Sequence, residues 1–249
     1  MFVLSSTVKL LAANMQDSVL VPMSLQERKN FLDFVSMGTH LLKSRLTKSR
    51  LTDFSGRPVQ GLNFDAGAWS DHADYAYAGY VGDSYPGSED KRAVEHVGWD
   101  ISHARRFVDV FDTLYDNRAV TGQTFPDDVV MKGLADQLAY GVFNRDFDRP
   151  LFTNFMDGTN GWYRVGYAMR KDFGYAPFMN SPAVPEGGFG FWSRFEPDIR
   201  RIMLAFRDWM DRAQQKQDSD FLKYYGKSFL QKDKGSFDLL EFLPTITCQ

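Results

Sequence analysis

Cysteine is almost absent from this sequence, since Cys248 is the only one among 249 residues. No disulfide can therefore form within the chain, and the cysteine content does not indicate whether the protein works in an oxidising or a reducing compartment. The position of Cys248 next to the C-terminus argues against a catalytic thiol, because terminal residues are seldom held in a fixed geometry.

Long apolar runs are absent as well. No stretch reaches the roughly 18 apolar residues that a membrane-spanning helix needs, so we predict no membrane span. Residues 1–13 are mildly apolar, but they have no basic residue before Lys9 and no convincing small-residue cleavage site. They make a poor signal peptide, and the localisation is left open.

The motifs of several common enzyme classes are missing. There is no glycine-rich phosphate loop, no dinucleotide-binding fingerprint and no nucleophile elbow, which argues against nucleotide chemistry and serine hydrolysis. None of the four histidines has a second histidine at the i, i+4 spacing of a zinc-protease helix. We therefore expect no metal ion and no cofactor.

The charge is small and evenly spread. A formal net charge of −3 and a pI near 5.8 provide no global field that would attract nucleic acid. One local exception is the segment 34–52, which has no acidic residue but contains Lys43, Arg45, Lys48 and Arg50. This segment is either a solvated helix end or a surface for an anionic ligand.

The remaining composition, with 43% apolar and 24% charged residues, is typical of a globular protein. The length favours a single domain over residues 1–249. Within it, residues 1–20 are the segment for which we expect the loosest packing.

Apolar periodicity predicts five helices. The first spans 24–46 and begins with the capping-box spacing of Ser24 and Glu27; the second follows Asp100, a plausible N-cap, and continues to Tyr115. The others are predicted at about 124–143 with Thr124 as the cap, at 193–215 with a capping box of Ser193 and Glu196, and at 220–231.

Two long segments, 47–98 and 144–192, lack sustained periodicity. Together they hold 14 of the 20 glycines and 19 of the 38 aromatic residues. Disordered segments are poor in aromatics, so we interpret both as ordered loops, with a few short strands allowed inside them. The predicted fold class is therefore mostly α.

The first loop combines aromatic and polar residues in a way that suits a sugar. Trp69, His72 and Tyr75 provide ring faces and hydrogen-bonding groups for the C–H face and the hydroxyls of a sugar. Asp71 and Asp74 are candidate acids or bases, and their spacing does not separate them. The alternative interpretation is that these aromatic residues only pin the loop onto the helices.

Asp100, His103 and Arg106 form a second group at the start of a predicted helix. Helical phase brings Asp100 near the centre of the apolar stripe and His103 to its flank, so both need partners. His103 beside a carboxylate would suit proton transfer. The simpler alternative is a helix cap with a satisfied histidine.

A third group follows a predicted turn at 157–161. Asn160, Trp162, Tyr163 and Arg164 combine an amide, a stacking surface, a phenol and a bidentate donor for carboxylate or phosphate. We interpret this group as part of a binding site, with packing of Trp162 in the core as the alternative.

Capped helices that alternate with long aromatic loops, together with the run from Asn160 to Arg164, resemble the (α/α) toroid enzymes. That superfamily includes polysaccharide lyases, glycoside hydrolases and uronyl epimerases. The resemblance extends over residues 60–215 and implies helical hairpins in a partial toroid, with a substrate cleft on the loop side. It also implies that Asn or Arg neutralises a uronate carboxylate while His or Tyr handles the protons.

The function expected on these grounds is cleavage of an acidic polysaccharide or oligosaccharide by β-elimination or hydrolysis, in the periplasm or outside the cell. The expected catalytic residues are His103, Tyr163, Asp71 and Asp100, and the expected substrate-binding residues are Trp69, His72, Tyr75, Arg106, Asn160, Trp162 and Arg164. The alternatives are a glycan-binding protein without catalysis and a helical protein-interaction domain.

Overall fold

The computed structural model describes residues 2–216 and 218–229, and this part of the chain is mostly helical, as predicted. Its strands form one two-stranded antiparallel sheet. The α-helices are α1 (Phe2–Gln16), α2 (Leu25–Ser44), α3 (Ile101–Asp116), α4 (Arg118–Thr121), α5 (Asp128–Asp136), α6 (Ala183–Glu186), α7 (Pro197–Lys216) and α8 (Ser219–Phe229), and the strands are β1 (Leu46–Thr52) and β2 (Pro58–Phe64). A π-helix, Gln137–Val142, continues α5, and a 3-10 helix, Phe189–Arg194, precedes α7.

The N-terminal segment forms a helix that the sequence analysis did not predict. Leu4, Val8 and Leu11 of α1 are buried, and α1 packs against both α2 and α3. The next helix begins as predicted, because the Ser24 hydroxyl accepts from the Glu27 backbone N–H while the Glu27 carboxylate accepts from the Ser24 N–H. This part of the chain therefore contributes two helices to the core, α1 and α2, of which α1 also packs on α3.

The predicted loop 47–98 begins with the hairpin β1–β2. Leu46 pairs with Phe64 and Thr52 with Pro58, and β2 packs on α5. The packing is close, since the Leu62 side chain occupies the space that a Cβ on Gly133 would need. The two-stranded sheet is thus packed directly on the helical core.

Two of the predicted helix starts are wrong. The third predicted helix is capped by Asp127, whose Oδ1 accepts from the Val130 N–H at 2.9 Å, and not by Thr124. In the fourth, Ser193 lies in the 3-10 helix, and α7 starts at Pro197. Proline is well suited to a first helical position because the N–H that it lacks would have no intrahelical acceptor there.

The C-terminal helices pack through aromatic rings. Phe206 and Trp209 of α7 contact Phe221 and Tyr225 of α8, with ring centroids 4.8 to 6.2 Å apart. Helix α8 ends at Phe229 among the described residues, so the predicted end at residue 231 and Cys248 lie outside them.

The second long loop is tied together by one buried amide. Nδ2 of Asn154 donates to the backbone oxygens of Gly161 and Ala176, both at 2.9 Å, while its Oδ1 accepts from the Asn180 N–H. Because Asn154 is fully buried, these bonds set the path of the loop around it.

A partly buried ion pair holds the 3-10 helix against α3. Arg194 lies 3.1 Å from Asp112 and 2.8 Å from Asp116. Burial raises the pKa of Asp112 to about 6, against the opposing charge of Arg194. The ionised form of Asp112 is therefore less stable in the folded protein than in the unfolded chain.

Asp112→Asn should remove a pH dependence of stability. Since the folded pKa of Asp112 lies above the unfolded value of 3.8, its favourable contribution is present below about pH 4 and is lost as the pH rises through about 6. We expect the variant to have a free energy of unfolding ~1–3 kcal/mol higher than wild type above pH 7, with little difference in acid. Urea unfolding across this pH range measures the effect.

Asp116→Asn is the matched control, because Asp116 contacts the same arginine but is half exposed. A similar gain in both variants would show that burial of Asp112 is not the cause.

Candidate functional site

Both long loops meet over the first turn of α3, where they enclose a cavity of about 260 Å³. The lining residues are Trp69, His72, Asp74, Tyr75, Trp99, His103, Arg106, Tyr163 and Arg164. The cavity therefore brings together seven of the eleven residues proposed for the site. Asp100, an eighth, lies directly beneath it.

A buried carboxylate supports the floor of this cavity. Asp100 is fully buried and caps α3 by accepting from the His103 backbone N–H at 3.1 Å. Its carboxylate also accepts from the Tyr75 hydroxyl at 2.8 Å and from the Ser102 hydroxyl. Burial opposes ionisation of Asp100, but hydrogen bonds from His103, Ser102 and Tyr75 outweigh it and hold its pKa below the usual value.

His103 is oriented by this carboxylate. Its Nδ1 lies 3.0 and 2.9 Å from the two oxygens of Asp100. Because an ionised carboxylate only accepts, Nδ1 must carry a proton and Nε2 of the neutral ring keeps its lone pair. Nε2 makes no hydrogen bond within the described part of the chain, so the imidazole can act as a base toward the cavity.

Two tyrosines pack beside His103. The Tyr163 hydroxyl lies 3.4 Å from Nδ1 of His103, and the Tyr75 and Tyr163 rings meet edge to face at 5.4 Å. Burial, reinforced by the charge of Asp100, raises the pKa of both phenols well above the usual range. Both are therefore neutral at physiological pH and can donate a hydrogen bond or a proton, whereas neither is a base.

Two arginines differ in their pairing. Arg164 Nε donates to Asp74 Oδ2 at 2.9 Å, and the Arg164 backbone N–H donates to the Asp74 carbonyl. Arg106 is exposed and makes no ion pair with any described residue. Among the described residues, the positive charge of the cavity that has no ion-pair partner is therefore on Arg106, whereas Arg164 is paired with Asp74 through its Nε.

One wall of the cavity is aromatic. The Trp69 and Trp99 rings meet edge to face at 5.5 Å, and Trp99 packs in turn on Phe107 of the core. Trp69 is 41% exposed, so part of its face is open to a ligand. An exposed indole supported by a second indole is suited to the C–H face of a sugar.

Three proposed residues are not in the cavity lining. Asp71 is exposed and does not line the cavity, whereas Asp74, the other candidate acid or base of this loop, does. Oδ1 of Asn160 accepts from the backbone N–H groups of Asn154 and Phe178, and Trp162 is buried with its Nε1 donating to the Gly82 carbonyl at 2.6 Å. In this structure Asn160 and Trp162 shape the loop.

Two further residues line the cavity, Asp74 and Trp99. Asp74 was a candidate acid or base that the sequence could not separate from Asp71, and Trp99 was assigned no role. No spacing rule connects Asp74 to Arg164, which lies 90 positions further along the chain. Trp99, in contrast, directly precedes the predicted helix cap at Asp100. Its position next to a proposed site residue could have indicated that it lines the same site.

A larger groove of about 930 Å³ lies further along α3 and contains none of the proposed residues. Its carboxylates are already in ion pairs, as in Asp109 with Lys9, Asp116 with Arg194 and Glu186 with Arg105. The smaller cavity is the better candidate because it combines an oriented imidazole, neutral phenols and an unpaired cation.

No group of three or more potential metal ligands occurs among the described residues, and none of the helices described there is long and apolar enough to cross a membrane. Comparison with known proteins found no family model, no curated protein and no solved structure that matches this chain. The arguments about function therefore depend on the geometry of the cavity.

Gly161→Ala should disturb the site by separating its two loops. A Cβ on Gly161 would overlap the backbone oxygen of Ala78, a buried residue of the first loop. We expect a loss of ~1–3 kcal/mol in the free energy of unfolding, because the added methyl group must displace backbone. Chemical denaturation measures the loss.

Gly226→Ala in α8 is the control, since its Cβ would find only ordinary contacts with Leu222. An alanine in a helix is expected to stabilise by ~0.5–1 kcal/mol. Equal effects of the two substitutions would contradict a close contact between the loops.

Proposed function

We propose that this protein is a carbohydrate-active enzyme that cleaves an acidic polysaccharide or oligosaccharide by β-elimination. The observation that carries the proposal is the contact of Nδ1 of His103 with both the buried carboxylate of Asp100 and the neutral phenol of Tyr163, in a cavity that also holds Arg106. An oriented base, a neutral acid and a cation are the groups that this reaction needs.

The substrate would be held by charge and by stacking. Arg106 binds the carboxylate of a uronate residue, and the terminal amino groups of Arg164 provide further donors. Trp69 stacks on a neighbouring sugar ring. Neutralising the carboxylate makes the adjacent C–H group more acidic, which prepares it for proton abstraction.

The chemical step then uses His103 as the base and Tyr163 as the acid. Nε2 of His103 takes the proton from the carbon next to the carboxylate, and the electron pair forms a double bond as the glycosidic oxygen leaves. The Tyr163 hydroxyl donates a proton to that oxygen. The raised pKa keeps the Tyr163 hydroxyl protonated, so its proton is present when the leaving oxygen needs it, and the Tyr75 hydroxyl is already donated to Asp100, so Tyr75 acts as a support.

Hydrolysis, the close variant, has less support from the cavity. It needs two carboxyl groups that flank the scissile bond. Asp74 is paired with Arg164, and Asp100 is buried under His103 and Tyr75. A partial (α/α) toroid remains a prediction from sequence resemblance, and the mostly helical architecture is compatible with it.

The direct test is to incubate the protein with polyuronates and to follow absorbance near the ultraviolet edge. Elimination produces a conjugated double bond and hydrolysis does not, so only the lyase reaction raises the absorbance. His103→Gln should lower kcat by about 10²- to 10⁴-fold, the usual contribution of general base catalysis. His96→Gln is the control, because His96 is 83% exposed and lies outside the cavity.

New reducing ends without absorbance would instead indicate hydrolysis. Binding without any product would favour the glycan-binding alternative, in which His103→Gln leaves affinity intact.

Arg106→Gln tests the carboxylate-binding role. Losing a charge-assisted hydrogen bond should raise KM by about 10- to 100-fold for an acidic glycan. The neighbouring Arg105 is a matched control, because it pairs with Glu186 away from the cavity. Steady-state kinetics on charged and carboxyl-reduced substrates measure the effect, and an equal loss with Arg105→Gln would contradict the proposed role.

A further inference from the structure

Two histidines line the candidate cavity, and their Nδ1 atoms face opposite kinds of partner. Nδ1 of His103 contacts the carboxylate of Asp100, which only accepts hydrogen bonds. Nδ1 of His72 lies 3.2 Å from the backbone nitrogen of Asp74, which only donates. Because a neutral imidazole has one proton, the partner of Nδ1 decides what Nε2 presents.

We infer that the cavity holds the two imidazoles in opposite tautomers, so that His72 offers a neutral Nε2–H donor to an anionic oxygen of the substrate while His103 offers an Nε2 acceptor. The identity of the substrate rests on the proposed function. The tautomers themselves follow from the Nδ1 contacts and from the charges around His72, and they need no substrate.

One contact favours a protonated His72 instead. Oδ1 of Asp74 lies 3.8 Å from Nδ1 of His72, which would attract an imidazolium. That distance is beyond hydrogen bonding, and the other carboxylate oxygen is already used by Arg164. Arg106 and Arg164 also line the cavity, and their charges oppose a third cation there.

The position of His72 suits a donor to a ligand. Its side chain is half exposed, and the Trp69 and Tyr75 rings contact it edge to face at 6.0 and 6.4 Å. Its Nε2 makes no hydrogen bond to any residue that the structure describes. A neutral donor held in this way can stabilise negative charge that develops on a substrate oxygen without giving up its proton.

The tautomers can be measured in the free, full-length protein by NMR with 15N-labelled histidine, because a ring nitrogen with a lone pair and one with a proton have well-separated shifts. At neutral pH we expect the Nε2–H form for His72 and the Nδ1–H form for His103. The exposed His40 and His96 are internal controls, which should show averaged tautomers. Single His→Gln variants assign the signals.

An Nδ1–H form, an imidazolium or an averaged signal at His72 would overturn the inference. This result does not depend on any substrate, so it is separate from a failure of the proposed function.

Two variants test the donor role. His72→Asn keeps an acceptor near the Nδ1 position for the Asp74 N–H but has no donor at the Nε2 position, and His72→Gln does the reverse. We expect His72→Asn to keep the thermal stability of wild type and to lose about 10²- to 10³-fold in kcat with little change in KM, the usual effect of removing one preorganised donor. His72→Gln should retain more activity.

Full activity in His72→Asn would show that His72 only caps the loop and would reject the donor role. A wild-type protein that cleaves no acidic glycan would refute the proposed function, and the NMR spectra would still decide the tautomers.

Discussion

The site depends on the hydrogen bonds that the buried carboxylate of Asp100 accepts. One comes from a backbone N–H of the first turn of α3, and the others come from side chains of the first loop and of the helix. A buried charge is tolerated only when its lone pairs are used and when a favourable field is present. The positive end of α3 supplies that field, since the carboxylate lies at the helix N-terminus.

This placement also explains the protonation states around it. Because Asp100 stays ionised, it fixes a proton on Nδ1 of His103, and its charge adds to the effect of burial, which keeps the nearby phenols of Tyr75 and Tyr163 from ionising. One structural requirement, the capping of a helix, thus places an oriented imidazole beside a protonated phenol. The proposed roles of base and acid are separated by environment, which is a common way for one site to hold both.

The sequence predicted the parts of the fold that follow local rules. Ser24 and Asp100 begin helices where capping side chains precede an apolar stripe, and both caps are confirmed. The start of the third helix was predicted wrongly, because Thr124 and Asp127 are both good caps by residue type and it is Asp127 that accepts from the first turn. Helix α1 was missed because it buries polar residues such as Ser5 and Asn14, which weaken the apolar pattern.

For the candidate site, the residue types indicated which side chains could bind a ligand, but the sequence did not show which of them are buried. Asn160 and Trp162 have the chemistry of binding residues, yet the fold uses Asn160 to satisfy backbone N–H groups and Trp162 to fill the loop interior. The pair of Asp74 and Arg164 joins two loops far apart in the sequence, and no local spacing indicates it. Long-range pairing of this kind is decided by tertiary structure, in which Gly161 and Ala78 approach too closely for any side chain.

The charges of the cavity are balanced in a way that suits an anionic transition state. Arg164 is compensated by Asp74, the charge of Asp100 is taken up by hydrogen bonds, and Arg106 has no ion-pair partner among the described residues. If His103 accepts a proton from the substrate, the dyad with Asp100 becomes an ion pair and the cavity gains a positive charge. That gain coincides with the negative charge that the substrate develops, so the site would bind the transition state more tightly than the ground state, which is the requirement for catalysis.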